Sequence, residues 1–129
     1  MTTERLSCSE NDYKNSISRT AEILKNGGIV AIPTETVYGL AASAYDENAI
    51  KKVFLAKGRP QDNPLIVHIA DIKMLEEIAC GIPDTAKKCA ERFWPGPFTM
   101  VLKRTGKIAP CVSAGLDTVA VRMPSDTVA

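Results

Sequence analysis

Apolar positions along the chain change several times between helical and strand spacing. Residues 13–25 place apolar side chains on one face of a helix, and the Asn-Gly-Gly segment at 26–28 tolerates a left-handed backbone. Residues 29–32 then form a short β-branched run that Pro33 stops. This pattern predicts a first helix followed by a short buried strand.

The middle of the chain repeats the alternation. Asp46 is a suitable N-cap for a second helix, which Gly58 ends. Residues 64–70 are almost continuously apolar, with His68 as the one polar side chain, and this predicts a central strand covered on both faces. The inward face of the second helix is predicted to contain Ala49, Ile50, Val53 and Phe54.

The rest of the chain adds two helices and two strands. Asp71 begins a third helix that Gly81 ends, and residues 83–84 begin a fourth that breaks at the Pro-Gly-Pro segment 95–97. Residues 98–103 and 118–122 are strand candidates, and the whole alternation predicts a layered α/β domain. Residues 124–129 resemble the first turn of a helix, so we expect the chain to be part of a longer domain.

Composition narrows the class of protein. The chain has 129 residues, a net charge of +1, 45% hydrophobic residues and 24% charged residues. These values are ordinary for one soluble globular domain and argue against a strongly basic protein that coats nucleic acid. The amino terminus lacks the apolar core of a signal peptide, and no apolar run approaches the roughly 20 residues of a membrane-spanning helix. We therefore expect a cytoplasmic protein with no membrane partner.

Several familiar chemistries have no signature in the sequence. The four cysteines, Cys8, Cys80, Cys89 and Cys111, are irregularly spaced, so we expect reduced thiols and no metal held by the protein. The G-x-x-x-x-G-K-[ST] and G-x-G-x-x-G loops are absent, as are H-E-x-x-H and G-x-S-x-G. A bound nucleotide would therefore be held by neither of the two familiar glycine-rich loops.

Five polar residues each allow a structural and a functional interpretation. Lys57 and Arg59 at the end of the second helix could complement the helix dipole, or they could grip a polyphosphate with help from Asn63. His68 is either a hydrogen-bonded core residue or part of a site. Arg122 ends a strand, where a buried guanidinium needs a protein carboxylate or an anionic ligand.

The segment after the first strand, Pro-Thr-Glu-Thr-Val-Tyr-Gly at 33–39, is equally ambiguous. Thr34 and Thr36 either satisfy local backbone groups or supply the hydroxyl groups of a small pocket wall. Gly39 would allow a ligand or another backbone to approach closely.

Taken together and in order, six motifs resemble the YrdC-like family, the threonylcarbamoyl-adenylate synthases. They are P-T-E-T-V-Y-G-L at 33–40, K-G-R-P at 57–60, N-P-L at 63–65, His68, W-P-G-P at 94–97 and V-A-V-R-M-P at 119–124. The resemblance implies an α/β fold with a twisted mixed sheet and flanking helices around a concave basic cavity. It also implies that residues 1–129 form one YrdC-like domain that is incomplete at its carboxyl terminus.

The resemblance implies a nucleotidyltransferase that forms threonylcarbamoyl-AMP and pyrophosphate from L-threonine, bicarbonate and ATP. A downstream complex would transfer the threonylcarbamoyl group to tRNA, so the implied process is tRNA modification. Mg²⁺ bound through the ATP phosphates is the implied cofactor. Positioning and charge stabilisation suffice for this chemistry, so no residue is expected to act as a covalent nucleophile.

Individual residues acquire expected roles from the same resemblance. The threonine-binding positions are Thr36, His68 and Arg122. The ATP-binding positions are Lys57, Arg59, Asn63 and Thr118. The residues expected to shape the pocket wall are Thr34, Tyr38 and Gly39.

The sequence is also compatible with two functions other than the enzyme. Family members continue beyond the point where this sequence stops, into a segment that also contacts the substrates, so the activity of these residues alone is left open. The chain could instead be a module that binds structured RNA through a basic concave face, or an inactive truncated remnant. Pyrophosphate release that depends on threonine would indicate the enzyme, and salt-sensitive RNA affinity that ignores threonine would indicate the RNA module.

Overall fold

The computed structural model describes residues 2–129, and Met1, with which the predicted domain begins, lies outside them. The helices are α1 (Tyr13–Lys25), α2 (Glu47–Lys57), α3 (Ile72–Ile78) and α4 (Asp84–Phe93), with a 3-10 helix at Pro110–Ser113. The strands are β1 (Val30–Ile32), β2 (Gly39–Ala41), β3 (Ile66–His68), β4 (Met100–Lys103) and β5 (Thr118–Arg122). The predicted α/β alternation is therefore confirmed.

Helix α2 has the limits that the sequence predicts, because both of its ends are capped. Asp46 Oδ1 accepts hydrogen bonds from the backbone N–H groups of Asn48 at 2.9 Å and Ala49 at 3.1 Å. Gly58 ends the helix in the left-handed conformation, with φ of 58°. All four residues predicted to face inward are buried: Ala49, Ile50, Val53 and Phe54.

Replacing this N-cap should cost measurable stability. Asp46→Ala removes the acceptor for two backbone N–H groups at the start of α2, so we expect the free energy of unfolding to fall by about 1 kcal/mol. Asp46→Asn keeps an acceptor oxygen and should stay close to the original protein. Urea unfolding followed by circular dichroism measures both variants. Equal midpoints for Asp46→Ala and the unsubstituted chain would contradict the capping role.

The five strands form two small sheets. Strands β1 and β2 form an antiparallel hairpin in which Ala31 lies opposite Leu40. In the second sheet, β5 lies in the middle, parallel to β3 and antiparallel to β4. The mixed sheet expected from the family resemblance is thus present.

Two strand predictions need correction, and one strand was not predicted at all. Residues 64–70 were expected to form a central strand covered on both faces, but β3 is an outer strand of the three-stranded sheet and Ile66 is 45% exposed. Residues 29–32 were expected to be buried, but Ala31 is exposed. Strand β2 was not predicted. An apolar run indicates that a segment is suited to burial, but it does not give the position of the strand in the sheet. That position depends on pairing between distant segments.

The apolar core lies against one face of the three-stranded sheet. Val67, Val119 and Val121 from this sheet join side chains from α2, α3 and α4 in one buried cluster. Trp94 closes the end of α4 within this cluster, and its Nε1–H donates to Phe98 O at 2.6 Å. Directly after it, Gly96 N–H donates to Met123 O at 2.9 Å, which ties this loop to the end of β5.

All four cysteines lie in the described part of the chain and are free thiols. Among residues 2–129, no helix combines the length and the apolar character that crossing a bilayer requires.

Candidate functional site

The second face of the three-stranded sheet is the candidate site. In β5, Val119 and Val121 are buried in the core, whereas Thr118, Ala120 and Arg122 are half-buried. Since successive side chains of a strand point to opposite faces, these three residues share the face that the core does not cover. We call this surface the open face. Its other members are Ile66 and His68 from β3 and Val101 and Lys103 from β4.

One row of the open face brings together two of the predicted threonine-binding residues. His68 lies opposite Arg122 in the parallel β3–β5 register, and Ile69 N–H donates to Arg122 O at 3.0 Å. Arg122 Nε donates to Thr99 Oγ1 at 3.0 Å. Within residues 2–129, no carboxylate lies at ion-pair distance from Arg122. Its guanidinium is therefore available to an anionic ligand.

The other end of β5 holds a predicted ATP-binding residue. Thr118 lies opposite Lys103 of β4, so both side chains are neighbours on the open face. Asn63 precedes β3, and parallel strands begin at the same edge of a sheet, so Asn63 lies near the edge where β5 begins. Thr118 and Arg122 are four residues apart, or roughly 13 Å along the strand. The open face therefore has two separate polar ends.

The loop between β1 and β2 is held by Thr34. Its Oγ1 accepts from the backbone N–H groups of Thr36 at 3.3 Å and Val37 at 3.2 Å and donates to Val37 O. The structural interpretation of Thr34 is thus confirmed. Thr36 Oγ1 lies 3.2 Å from Thr34 Oγ1. Tyr38 is 78% exposed, so no packing in this structure supports its predicted role in a pocket wall.

Glu35, at the centre of the same loop, is electrostatically close to His68. Burial lowers the pKa of His68 below its ordinary value, the Arg122 guanidinium lowers it further, and the Glu35 carboxylate acts in the opposite direction. The imidazole is therefore neutral at neutral pH. Both carboxylate oxygens of Glu35 are buried without a hydrogen-bond partner among the described residues.

The predicted phosphate-binding cations lie at the end of α2. Lys57 is exposed in the last turn of the helix. Arg59 is half-buried and lines a shallow groove of about 370 Å³ together with Phe54 and Pro60. Helix α2 packs against the 3-10 helix, which also contacts β5. A second groove of about 310 Å³ lies near Cys80. Neither groove is lined by Thr36, His68 or Arg122.

Three residues of this region were not predicted as site residues. Thr99 contacts Arg122, Lys103 neighbours Thr118, and Glu35 influences His68. The alternation in β4 could have identified Thr99 and Lys103, because inward-facing Met100 and Leu102 place residues 99, 101 and 103 on the opposite face. Glu35 had a weaker signal, as the one carboxylate in a loop of hydroxyl groups.

Comparison with known proteins identifies relatives of this fold. The family model Sua5/YciO/YrdC, described as "Telomere recombination", matches residues 22–129. The chain is 55% identical over 109 residues to the threonylcarbamoyl-AMP synthase of Pyrococcus abyssi and 51% identical over 114 residues to that of Bacillus subtilis. These alignments include 84% and 88% of this chain but only 32% and 33% of the relatives. The chain thus spans about a third of their length.

A solved structure agrees with this comparison. The crystal structure of Pyrococcus abyssi Sua5 complexed with L-threonine superimposes with a TM-score of 0.88 at 50% sequence identity. The superposition covers 97% of this chain and 35% of that protein. The fold expected from the sequence motifs is therefore confirmed.

Proposed function

The chain belongs to the Sua5/YciO/YrdC family, and on that premise we propose that it binds L-threonine and ATP as part of a threonylcarbamoyl-AMP synthase. The observation that supports this most directly is the position of Arg122, without a carboxylate partner among residues 2–129, opposite His68 on the open face. An amino acid presents one carboxylate to such a guanidinium. A homologue of 50% identity has been crystallised with L-threonine, which agrees with this choice of ligand.

At the threonine end, Arg122 is proposed to bind the substrate carboxylate. Its Nε already donates to Thr99, which restrains the guanidinium plane and leaves the remaining N–H groups for a two-pronged contact. His68 lies opposite it in the strand register, and Thr36 of the β1–β2 loop is proposed to contribute its hydroxyl group, so that an imidazole and a hydroxyl contact the rest of the amino acid. Thr34, Tyr38 and Gly39 are proposed to shape this side of the site.

At the nucleotide end, Lys57 and Arg59 are proposed to bind the phosphates, with Asn63 and Thr118 adding polar contacts. Neither Lys57 nor Arg59 forms an ion pair within residues 2–129, so both cations are free for an anionic ligand. The roughly 13 Å between Thr118 and Arg122 would let the nucleotide and the amino acid lie end to end along one strand, with their reacting atoms meeting between the two residues.

The proposed chemistry has two steps. The threonine amine loses a proton and forms an N–C bond with bicarbonate-derived carbon dioxide, which gives a carbamate. A carbamate oxygen then bonds to the α-phosphorus of ATP while the bond to the leaving pyrophosphate breaks and its electron pair departs with the pyrophosphate. Most of the acceleration would come from two effects. The site positions the reactants, and Lys57 and Arg59 stabilise the charge on the leaving pyrophosphate.

We further propose that Mg²⁺ enters with the ATP phosphates. Among the described residues, no group of three His, Cys, Asp or Glu could hold a metal ion, whereas Asp62 lies in the loop between Arg59 and Asn63. Magnesium commonly binds through substrate phosphates with one or two carboxylates, so this donor set fits. Bound there, the ion would neutralise phosphate charge. The product would pass to a tRNA-modifying transfer complex in the cytoplasm.

The experiment that tests the proposal measures L-threonine binding by calorimetry and pyrophosphate release with ATP and bicarbonate, each against a reaction without threonine. Because the chain spans about a third of its relatives, a protein of the relatives' full length is assayed beside it. Threonine binding and threonine-dependent pyrophosphate support the function. RNA affinity that falls with salt in the absence of any threonine binding would support the RNA-binding module instead.

The nucleotide end makes a separate prediction. Arg59→Ala should weaken ATP binding about 10- to 100-fold, since a hydrogen bond to a charged group contributes roughly 1.5–3 kcal/mol. The affinity should also become less sensitive to salt, because one cation has been removed. Calorimetry at two salt concentrations measures both effects. Lys88→Ala on the exposed side of α4 is the matched control, and equal losses in the two variants would rule out a specific role for Arg59.

A further inference from the structure

Glu35 is an unusual residue that the proposed roles leave unexplained. Both of its carboxylate oxygens are buried, and neither has a hydrogen-bond partner within residues 2–129. A buried carboxylate without a partner is destabilising, so such a group calls for an explanation. The local backbone does not supply one, because Thr34 already accepts the hydrogen bonds of the Thr36 and Val37 N–H groups.

The charges around His68 suggest what Glu35 does. Two charged groups act on the imidazole, Glu35 from the β1–β2 loop and Arg122 from β5. Burial and Arg122 favour the neutral imidazole, whereas Glu35 favours the imidazolium. His68 is therefore a neutral base, and the Glu35 carboxylate favours its protonated form.

We propose that His68 accepts the proton that the threonine ammonium group must lose, and that Glu35 stabilises the resulting imidazolium. This inference rests on the proposed function. In the step, the ammonium N–H bond breaks and its proton moves to an imidazole nitrogen, so the amine keeps the electron pair that later bonds to carbon. The imidazolium returns the proton to bicarbonate, which dehydrates to carbon dioxide and water. When the amine then bonds to carbon, its second proton passes to the regenerated imidazole and from there to solvent. His68 is then the catalytic base, and Glu35 is a positioning residue.

The titration of His68 tests the charge coupling without any substrate. His68 is the only histidine in the chain, so its imidazole can be followed by NMR without overlap from another histidine. Glu35→Gln should lower the pKa of His68 further, and Arg122→Gln should raise it, because each removes one of the two opposing charges. Glu91→Gln, an exposed carboxylate on α4, is the control and should leave the titration unchanged.

Turnover in a protein of the relatives' full length tests the chemical role. His68→Gln should slow threonine-dependent pyrophosphate release on the order of 100-fold, and Glu35→Gln about 10-fold, with partial recovery in Glu35→Asp. In Glu35→Gln, the acidic limb of the rate against pH should move to lower pH. Glu35→Gln should also melt no lower than the original protein, because it removes an unpaired buried charge.

The possible failures are distinguishable. A His68 titration that Glu35→Gln leaves unchanged would overturn the inference while leaving the proposed function intact. Loss of threonine binding together with a lower melting temperature in Glu35→Gln would indicate a structural role and also overturn it. Absence of threonine binding in the unsubstituted protein would remove the proposed function, and the inference with it.

Discussion

Arg122→Ala should reduce L-threonine affinity and threonine-dependent pyrophosphate release by on the order of 100- to 1000-fold. Removing one partner of a buried, hydrogen-bonded charge pair costs about 2–5 kcal/mol, and each 1.4 kcal/mol is a factor of ten. The proposed pair is the Arg122 guanidinium with the substrate carboxylate, and the structure offers Arg122 no protein carboxylate among the described residues. Calorimetry and a pyrophosphate assay measure the two losses.

Two further variants sharpen this prediction. Arg122→Lys retains the positive charge but loses the planar fork and the Nε contact with Thr99, so an intermediate loss is expected. Arg92→Ala removes an exposed arginine in the last turn of α4 and should leave both measurements unchanged. Full threonine affinity in Arg122→Ala would exclude Arg122 as the carboxylate-binding residue.

Trp94→Ala should have the largest effect on folding, with a loss of roughly 3–5 kcal/mol in the free energy of unfolding. Trp94 is only 8% exposed, belongs to the apolar core and donates its indole N–H to Phe98 O. Its removal leaves a cavity and an unsatisfied carbonyl group. For a domain of this size the melting temperature should fall by roughly 10–20 °C, which differential scanning calorimetry measures.

The adjacent aromatic residue supplies a control. Phe93 is 47% exposed, and its ring centroid lies 4.9 Å from that of Phe98. Phe93→Ala should therefore cost only about 1 kcal/mol. Trp94→Phe keeps most of the buried volume but loses the N–H donor, so its loss should lie between the other two. Comparable losses for Phe93→Ala and Trp94→Ala would show that burial of Trp94 contributes little.

Packing around Trp94 also helps to fix the position of Arg122 in the candidate site. The loop that follows it holds the end of β5 through Gly96 N–H and Met123 O, directly after Arg122. A Cβ added at Gly96 would lie 2.8 Å from Phe93 O, so the backbone turn at this point has no room for a side chain. The position of the guanidinium therefore depends on packing at the end of α4, about thirty residues earlier in the chain.

Local patterns were reliable where local physics decides the structure. Helix α2 begins after Asp46 and ends before Gly58 as predicted, because a capping carboxylate and a left-handed glycine act on adjacent backbone groups. The ordered motifs also identified the family, which the match over residues 22–129 confirms. The roles of the individual site residues remain predictions.

Tertiary structure alone decided how the segments meet. The apolar run containing β3 could not reveal that it would become an outer strand, because its partner β5 lies more than fifty residues later. The same pairing placed His68 opposite Arg122 and left the open face without core packing. The sequence by itself determined the helices, their caps and the family, since these depend on neighbouring residues and on ordered motifs. Only the folded chain lets the Glu35 carboxylate act on the pKa of His68, because an effect between distant segments depends on the register of the sheet and the path of the loop.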